Sequence, residues 1–334
     1  MNKKILRVVP VLVLVLLVLL PYSTAAIPGL FEGPLNAPGT LQLLAVCLVF
    51  GGLALGYDLL FGRAGLLSFG HALPIAAGAY GTGILTGRLH WPLGAAVAVT
   101  VVAVAVLSAL LGSVALRTTG IGFAMVTLAF AQVGWIVVNR DPGGLTGGEE
   151  GLPLVSAALP PALVGVANTV NLYWLALGFL LVVVVVVQGI DRAPLGRVLT
   201  GLRDDERRVA VLGLSPYRLK LATFVLAGAL AALGGAVHGL VVGGASPHLA
   251  SADLTLSLIV MAVLGGAGTR WGAVLGGVVY AYLDQRLTQV GGSLSGPLGQ
   301  PLFVLGTLFV LAVYFAPGGL AGLAVFWRSR PARR

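Results

Sequence analysis

Uncharged apolar runs of about 20 residues recur along the whole chain and leave this sequence few choices of fold. Trp91 to Leu116 and Asn171 to Ile190 contain no acid and no base. Such runs match the hydrocarbon thickness of a bilayer, where every peptide group must find its partner inside the protein. A β-barrel would instead alternate apolar and polar residues over about 10 positions. With 58% hydrophobic and 9% charged residues and a mean hydropathy of +1.01, the 334 residues lie far from a soluble domain, in which about a quarter are charged. The expected fold class is all-α, a polytopic transmembrane helical bundle of about ten spans in a single domain over residues 1–334. The 49 glycines, set among Leu, Val and Ala, suit close helix packing in lipid better than disorder.

The first run, Val8 to Leu20, follows Lys3, Lys4 and Arg7 and precedes Ser23-Thr24-Ala25-Ala26. It reads as a retained first helix followed by an outside loop to residue 40, with a cleavable signal peptide as the alternative. Nine further spans are expected: Leu41–Phe61, Ala64–Leu85, Trp91–Leu116, Gly120–Asn139, Asn171–Ile190, Leu219–Val242, Asp253–Gly268, Trp271–Leu287 and Leu298–Phe315. Runs interrupted near Pro74 and Gly265-Gly266 are candidates for discontinuous segments lining a cavity.

Charge orients this arrangement. With the N-terminus in the cytoplasm, 17 of the 20 Lys and Arg fall on the cytoplasmic side, leaving Arg88, Arg140 and Arg286 outside. The bias places both termini in the cytoplasm, including the basic tail 317–334. It also accounts for the net charge of +9 without nucleic acid.

The long hydrophilic run is Asp191 to Lys220, DRAPLGRVLTGLRDDERRVAVLGLSPYRLK. It holds seven of the basic residues and four of the 11 acids, with apolar sets at Val198, Leu199 and Leu202 and at Val209, Val211 and Leu212. That pattern predicts a short amphipathic helix on water between two spans, bounded by Gly196, Gly213 and Pro216. Arg203, Asp204, Asp205, Glu206, Arg207 and Arg208 form a mixed cluster that reads either as a solvated face or as a surface gripped by a soluble partner. On the other side, Arg140 to Val170 carries Asp141, Glu149 and Glu150 around a glycine-rich stretch. It reads equally as a docking surface and as a connecting loop.

Several chemistries are excluded. The lysines are Lys3, Lys4 and Lys220, and none follows the glycines of a phosphate-binding loop. His71, His90, His238 and His248 show no ligand spacing, so neither metal nor cofactor is expected, and Cys47 lies alone in an apolar run. Asp58 lies near Arg63, Asp284 near Arg286, and Asp253 opens a helix, where an acid offsets the dipole. None reads as an ion-coupling group, so the energy for transport comes from elsewhere or the protein is a passive channel. No clustered nucleophile, base or metal ligand points to an enzyme. Ser68, His71, Thr127 and Gln132 are the polar candidates for lining a pathway, although Thr127 and Gln132, five apart, need not share a helix face.

RTTGIGFAMVTLAFAQV at 117–133, LTGGEEGLP at 145–153, the block from Gly196 to Gly239 and VLGGAGTRWGAVLGG at 263–277 resemble the LivM-type permeases of branched-chain amino-acid ABC importers. The similarity runs from about residue 40 to 316. It implies a bacterial inner-membrane permease subunit that works with a second, related permease, two cytoplasmic ABC ATPases and an extracytoplasmic substrate-binding protein. Gly196, Arg203, Asp204, Asp205, Glu206 and Gly213 match the family's ATPase-coupling loop, and Leu145, Thr146, Gly147 and Gly148 its outside loop. The Ser68 and His71 of RAGLLSFGH at 63–71 depart from more apolar members, leaving urea or short amides as alternative cargo. A self-contained channel is the reading from another class.

Overall fold

The computed structural model describes residues 13–25, 31, 33–154, 159–165, 168–291, 300–315, 318–320 and 322. The basic start at residues 3–7 and the basic residues of the C-terminal tail lie outside the described residues. The elements are α1 (Val13–Tyr22), α2 (Pro38–Asp58), a π-helical turn (Leu59–Arg63), α3 (Ala72–Gly87), α4 (Leu93–Ala115) and α5 (Ile121–Arg140). After the strand β1 (Leu152–Pro153) come α6 (Thr169–Arg192), α7 (Pro194–Asp204), α8 (Glu206–Val211) and α9 (Pro216–Val242). The strand β2 (Gly244–Ala245), α10 (Ala252–Gly265), α11 (Arg270–Gly291) and α12 (Pro301–Phe315) complete the order.

Each of the nine spans expected after the first overlaps a helix over its described residues. Five of them are long and apolar enough to cross a membrane by length and composition: α2 with its π turn, α4, α5, α6 and α9. Burial sorts these five. The apolar window of α2 is 83% buried and that of α9 67%, against 22% for α4 and 28% for α5, so α2 and α9 form the centre and α4 and α5 the wall. An integral membrane protein is built this way, with lipid-facing helices keeping their apolar side chains outward.

Two of the helices, α3 and α10, are short and are entered through irregular backbone. α3 has 16 residues and α10 has 14, or about 24 and 21 Å at 1.5 Å per residue, short of a hydrocarbon core of roughly 30 Å. The run expected as helix from Ala64 begins helical structure only at Ala72, and residues 64–71 are irregular. Before α10, residues 243–251 pass through β2 and a single 3-10 turn at Pro247–Ala250. α2 is joined to α3 and α9 to α10 by these irregular stretches, and the packing around each pair corresponds. α4 packs on α3 and α9 as α11 packs on α10 and α2, and α5 and α12 complete the two sets. Repeated units with interrupted helices of this kind are a recurrent way of building membrane transport proteins.

Backbone contact closes the centre. A Cβ on Gly78 of α3 would strike the Ala232 carbonyl oxygen of α9, and one on Gly235 would strike the Ile75 carbonyl oxygen of α3. Small residues in both helices are what allow this approach. Tyr173 of α6 donates its hydroxyl to the Leu17 carbonyl oxygen at 2.7 Å, holding α1 against the bundle.

The bundle has two dissimilar ends. The basic end gathers Arg63, Asp191, α7, α8 and the α10–α11 turn. The loop end gathers Arg88, the segment after Arg140, and β1 paired antiparallel with β2, Leu152 opposite Ala245 and Pro153 opposite Gly244.

Candidate functional site

The irregular stretch 64–71 sits where a continuous span would have supplied its own hydrogen bonds, so its backbone groups must be met by other elements. The Tyr57 hydroxyl of α2 donates to the Ser68 carbonyl oxygen at 2.9 Å. The Phe69 N–H donates to Thr127 Oγ1 of α5 at 3.1 Å, and the Gly70 N–H to Ser68 Oγ at 3.2 Å. The Ala72 N–H, at the start of α3, reaches Thr255 Oγ1 of α10 at 2.9 Å, so the two short helices are bonded to each other. His71 is buried with its ring edge-on to Tyr57, centroids 5.2 Å apart, and its Nε2 has no hydrogen-bond partner among the described residues.

Ser68, His71 and Thr127 are thus brought together around one unwound stretch. Gln132 is not, because it lies on the exposed side of α5, where Thr127 is 1% exposed. Five residues turn a helix well past one full revolution, so the two face different surroundings. Tyr57 and Thr255 were not singled out from the sequence. Each sits in an apolar run with no local pattern announcing its partner.

At the basic end, the chain from Asp191 to Lys220 forms two short helices instead of one. α7 starts on Pro194, whose fixed φ suits the first turn. The break falls at Asp205, whose backbone is extended and whose carboxylate accepts the N–H groups of Arg207 and Arg208 at 3.0 and 3.4 Å, capping α8. Gly196 lies inside α7 and does not delimit it; there it allows close contact with Ile190 and Asp191 of α6. Gly213, with φ of +79°, does end α8.

Leu199, Leu202 and Val209 are buried against Leu59, Leu60, Ala115 and Phe123, forming a second core beneath the two helices. Each such side chain withdrawn from water stabilises the docking by at most about 1.5–3 kcal/mol. Val211 and Leu212, read from the sequence as part of the apolar face, are instead 87% and 77% exposed, because α8 ends at Val211 and the chain turns away from the core. With Leu214 they form an apolar tip.

The charged cluster divides. Glu206 pairs with Lys220 of α9, Asp205 caps α8 and pairs with Arg208 at 3.0 Å, and Asp204 is exposed. Arg203 donates through Nη1 to the Gly62 carbonyl oxygen of the π turn. Beside it lies a recess of about 240 Å³ lined by residues including Gly65, Thr118, Thr119, Arg203, Glu206 and Lys220. Next to Gly62, Arg63 bonds Asp58 at 2.7 Å and Asp191 at 2.8 Å, Arg270 reaches Asp191 at 3.1 Å, and the Gly268 N–H donates to Asp58 at 2.7 Å. The sequence proximity of Asp58 and Arg63 is therefore a real ion pair.

At the loop end, Asp141 adopts a left-handed conformation and accepts the Thr146 N–H at 2.6 Å, with the Thr146 hydroxyl 2.9 Å away. These bonds, the Thr146 N–H first, hold the Asp141 carboxyl below the usual carboxylate range. Thr146 is buried, Leu145 is exposed, and Gly147 and Gly148 have φ of +77° and +58°. The loop is thus pinned from within, and β1 fastens it to the irregular stretch that leads into α10.

The family described as branched-chain amino acid transport system / permease component matches residues 39–317. The high-affinity branched-chain amino acid transport system permease protein LivM of Escherichia coli (strain K12) is 26% identical over 307 residues, covering 84% of this chain and 70% of that protein. The probable branched-chain amino acid transport permease protein LivM of Methanocaldococcus jannaschii is 24% identical over 330 residues, covering 84% and 94%. A solved structure of PsaBC from Streptococcus pneumoniae in complex with Fab aligns with a TM-score of 0.46 and 13% identity, over 83% of this chain and 91% of that one.

Proposed function

The chain belongs to the branched-chain amino acid transport permease family, and from that premise we propose that it is the membrane-spanning subunit of an ATP-driven importer of branched-chain amino acids. A second, related permease completes the pathway, two ATPases bind on the cytoplasmic side, and a substrate-binding protein delivers cargo from outside. The observation that carries this reading is the α7–α8 unit, packed on the second core and pointing Val211, Leu212 and Leu214 into water. Exposed apolar side chains on a rigid element fit insertion into a partner's groove, with Asp204, Arg207 and Arg208 at the rim.

The basic end is then cytoplasmic and the loop end faces outside, in keeping with the distribution of Lys and Arg. ATP bound to the partner favours one arrangement of the helices over another, and the pathway opens to each side in turn. Ser68, His71 and Thr127 lie along it, beside the unwound stretch. The loop from Leu145 to Gly148 receives the binding protein, and its attachment to β2 passes that contact to α10.

Reconstitution tests the proposal. Proteoliposomes with the second permease, the ATPases and the binding protein take up radiolabelled leucine only with ATP, and the chain alone conducts nothing. Leucine flux through the chain alone would instead make it a self-contained channel, and ATP-driven uptake of urea in place of leucine would move it to the small-amide branch.

A further inference from the structure

Between the docking tip of α8 and the unwound stretch 64–71 lies Arg203 of α7, in contact with both the π turn and that stretch. Its guanidinium bonds the Gly62 carbonyl oxygen in the π turn. Its aliphatic stem lies against Gly65, where a Cβ would come within 3.0 Å of Arg203 Cγ. Gly65 has φ of +70°, so a side chain there would be strained as well as crowded. Beneath the same contact, Leu199 and Leu202 of α7 pack with Leu59 and Leu60 of the π turn and with Ala64 and Leu66 of the unwound stretch.

The anchoring around this link is uneven. Arg63, one residue from Gly62, is held by Asp58 and Asp191, and Asp191 is held again by Arg270. These bonds lock the ends of α2, α6 and α11 together. The chain from Ala64 to Gly70 has no regular secondary structure; besides the packing of Ala64 and Leu66, it is held by isolated hydrogen bonds and by no helical ladder. A push on α7 therefore meets an ion-paired node on one side of Gly62 and a stretch without helical hydrogen bonding on the other. The π turn that closes α2 is a further departure from regular helix at this point, and π segments are frequent at functional positions.

We propose that Arg203 is a positioning residue that transmits movement of α7–α8 to residues 64–71, so that partner engagement changes the unwound stretch beside Ser68 and His71. The inference rests on the ATPase-coupled reading above. Arg203 acts through Gly62 and Gly65 and does not touch cargo.

The test uses the complex in nanodiscs with Leu67→Cys as reporter, since Leu67 is exposed on the stretch and the native Cys47 is buried. Maleimide labelling at position 67 is measured with and without ATP and vanadate. With Arg203 present, nucleotide changes the labelling rate by on the order of tenfold, within the usual range of coupling between distant sites. Arg203→Met, which keeps the stem and loses the donors, abolishes the change while the ATPases remain bound, and Arg203→Lys restores part of it.

An unaltered nucleotide response in Arg203→Met overturns the inference. So does the lack of any response with Arg203 intact, a result that needs no variant at position 203 to fold. Loss of the ATPases from Arg203→Met in step with the response also overturns it, because Arg203 would then serve docking. Failure of the unmodified chain to retain any ATPase refutes the importer reading instead.

Discussion

Arg63, on the turn after α2, grips Asp191 at the end of α6 across 128 positions of chain, with Nε 2.8 Å from Oδ1 and Nη2 3.2 Å from Oδ2. Its third nitrogen reaches Asp58, which is 0% exposed. One guanidinium thus joins three segments, and its planar donors make such a bridge possible where an ammonium would not. Removing one acid strands buried charge. Asp58→Ala is expected to destabilise the bundle by about 3–5 kcal/mol, and the double variant with Arg63→Met to recover part of the loss. Thermal unfolding in detergent checks this, and an unchanged midpoint for Asp58→Ala would remove the pair from the list of structural contacts.

The crossing of α3 and α9 depends on two glycines facing opposite carbonyl groups. Gly235→Val forces the backbones apart and is expected to cost at least about 1–3 kcal/mol, the usual penalty of overpacking, because backbone yields less than a side chain. Size-exclusion profiles of the solubilised protein report it: a monodisperse variant with unchanged thermal midpoint would contradict the close approach.

Docking and folding should separate at the tip of α8. Leu212→Asp exposes no new core and should leave stability within about 0.5 kcal/mol. It should nevertheless release the ATPases on co-purification. Replacing Asp204, Asp205 and Glu206 together should also weaken coupling, but with a stability loss of about 1 kcal/mol from the vanished cap on α8. Retention of the ATPases by Leu212→Asp would shift the contact away from the tip.

Thr127→Val removes the acceptor of the Phe69 N–H and leaves the apolar surroundings intact. Hydrogen bonds between membrane helices average about 0.6 kcal/mol and reach about 1.7, so the bundle should fold. Leucine uptake should fall more than stability does, because the stretch beside Ser68 loses an anchor. Uptake that tracks the thermal midpoint and nothing else would give Thr127 a purely structural role.

Acid should loosen the loop end. The Asp141 carboxyl titrates lower in the folded protein than in the unfolded chain, so its contribution is present above the unfolded value of about 3.9 and fades as pH falls through the folded one. Protease cleavage within 141–151 should therefore accelerate between pH 5 and pH 3. Asp141→Asn isolates the effect: its cleavage should already be fast at pH 5 and change less with acid. Equal pH dependence in the two proteins would place the effect outside Asp141.

The order of the spans was legible because each is a local sum, a run of side chains whose combined transfer into hydrocarbon outweighs everything else about it. The turn after α8 was legible for a similar reason, since Gly213 needs a positive φ wherever it ends a helix. The direction in which Val211 and Leu212 point was not. Apolar spacing alone groups them with Val209, and only the break at Asp205 and the end of α8 turn them into water. Gln132 illustrates the same limit, being as polar as Thr127 and on the same helix but facing away from the unwound stretch.

By itself the sequence determined an all-helical membrane protein and the order of its apolar helices, because hydropathy acts on each segment independently of the others. Tertiary structure decided that the irregular stretches fall at residues 64–71 and 243–251, not at Pro74, which lies inside α3, and what holds them. The Phe69 N–H is met by a residue 58 positions away and the Ala72 N–H by one 183 away. An unpaired backbone group in an apolar interior is answered by whatever the fold brings beside it, and no local pattern records that neighbour.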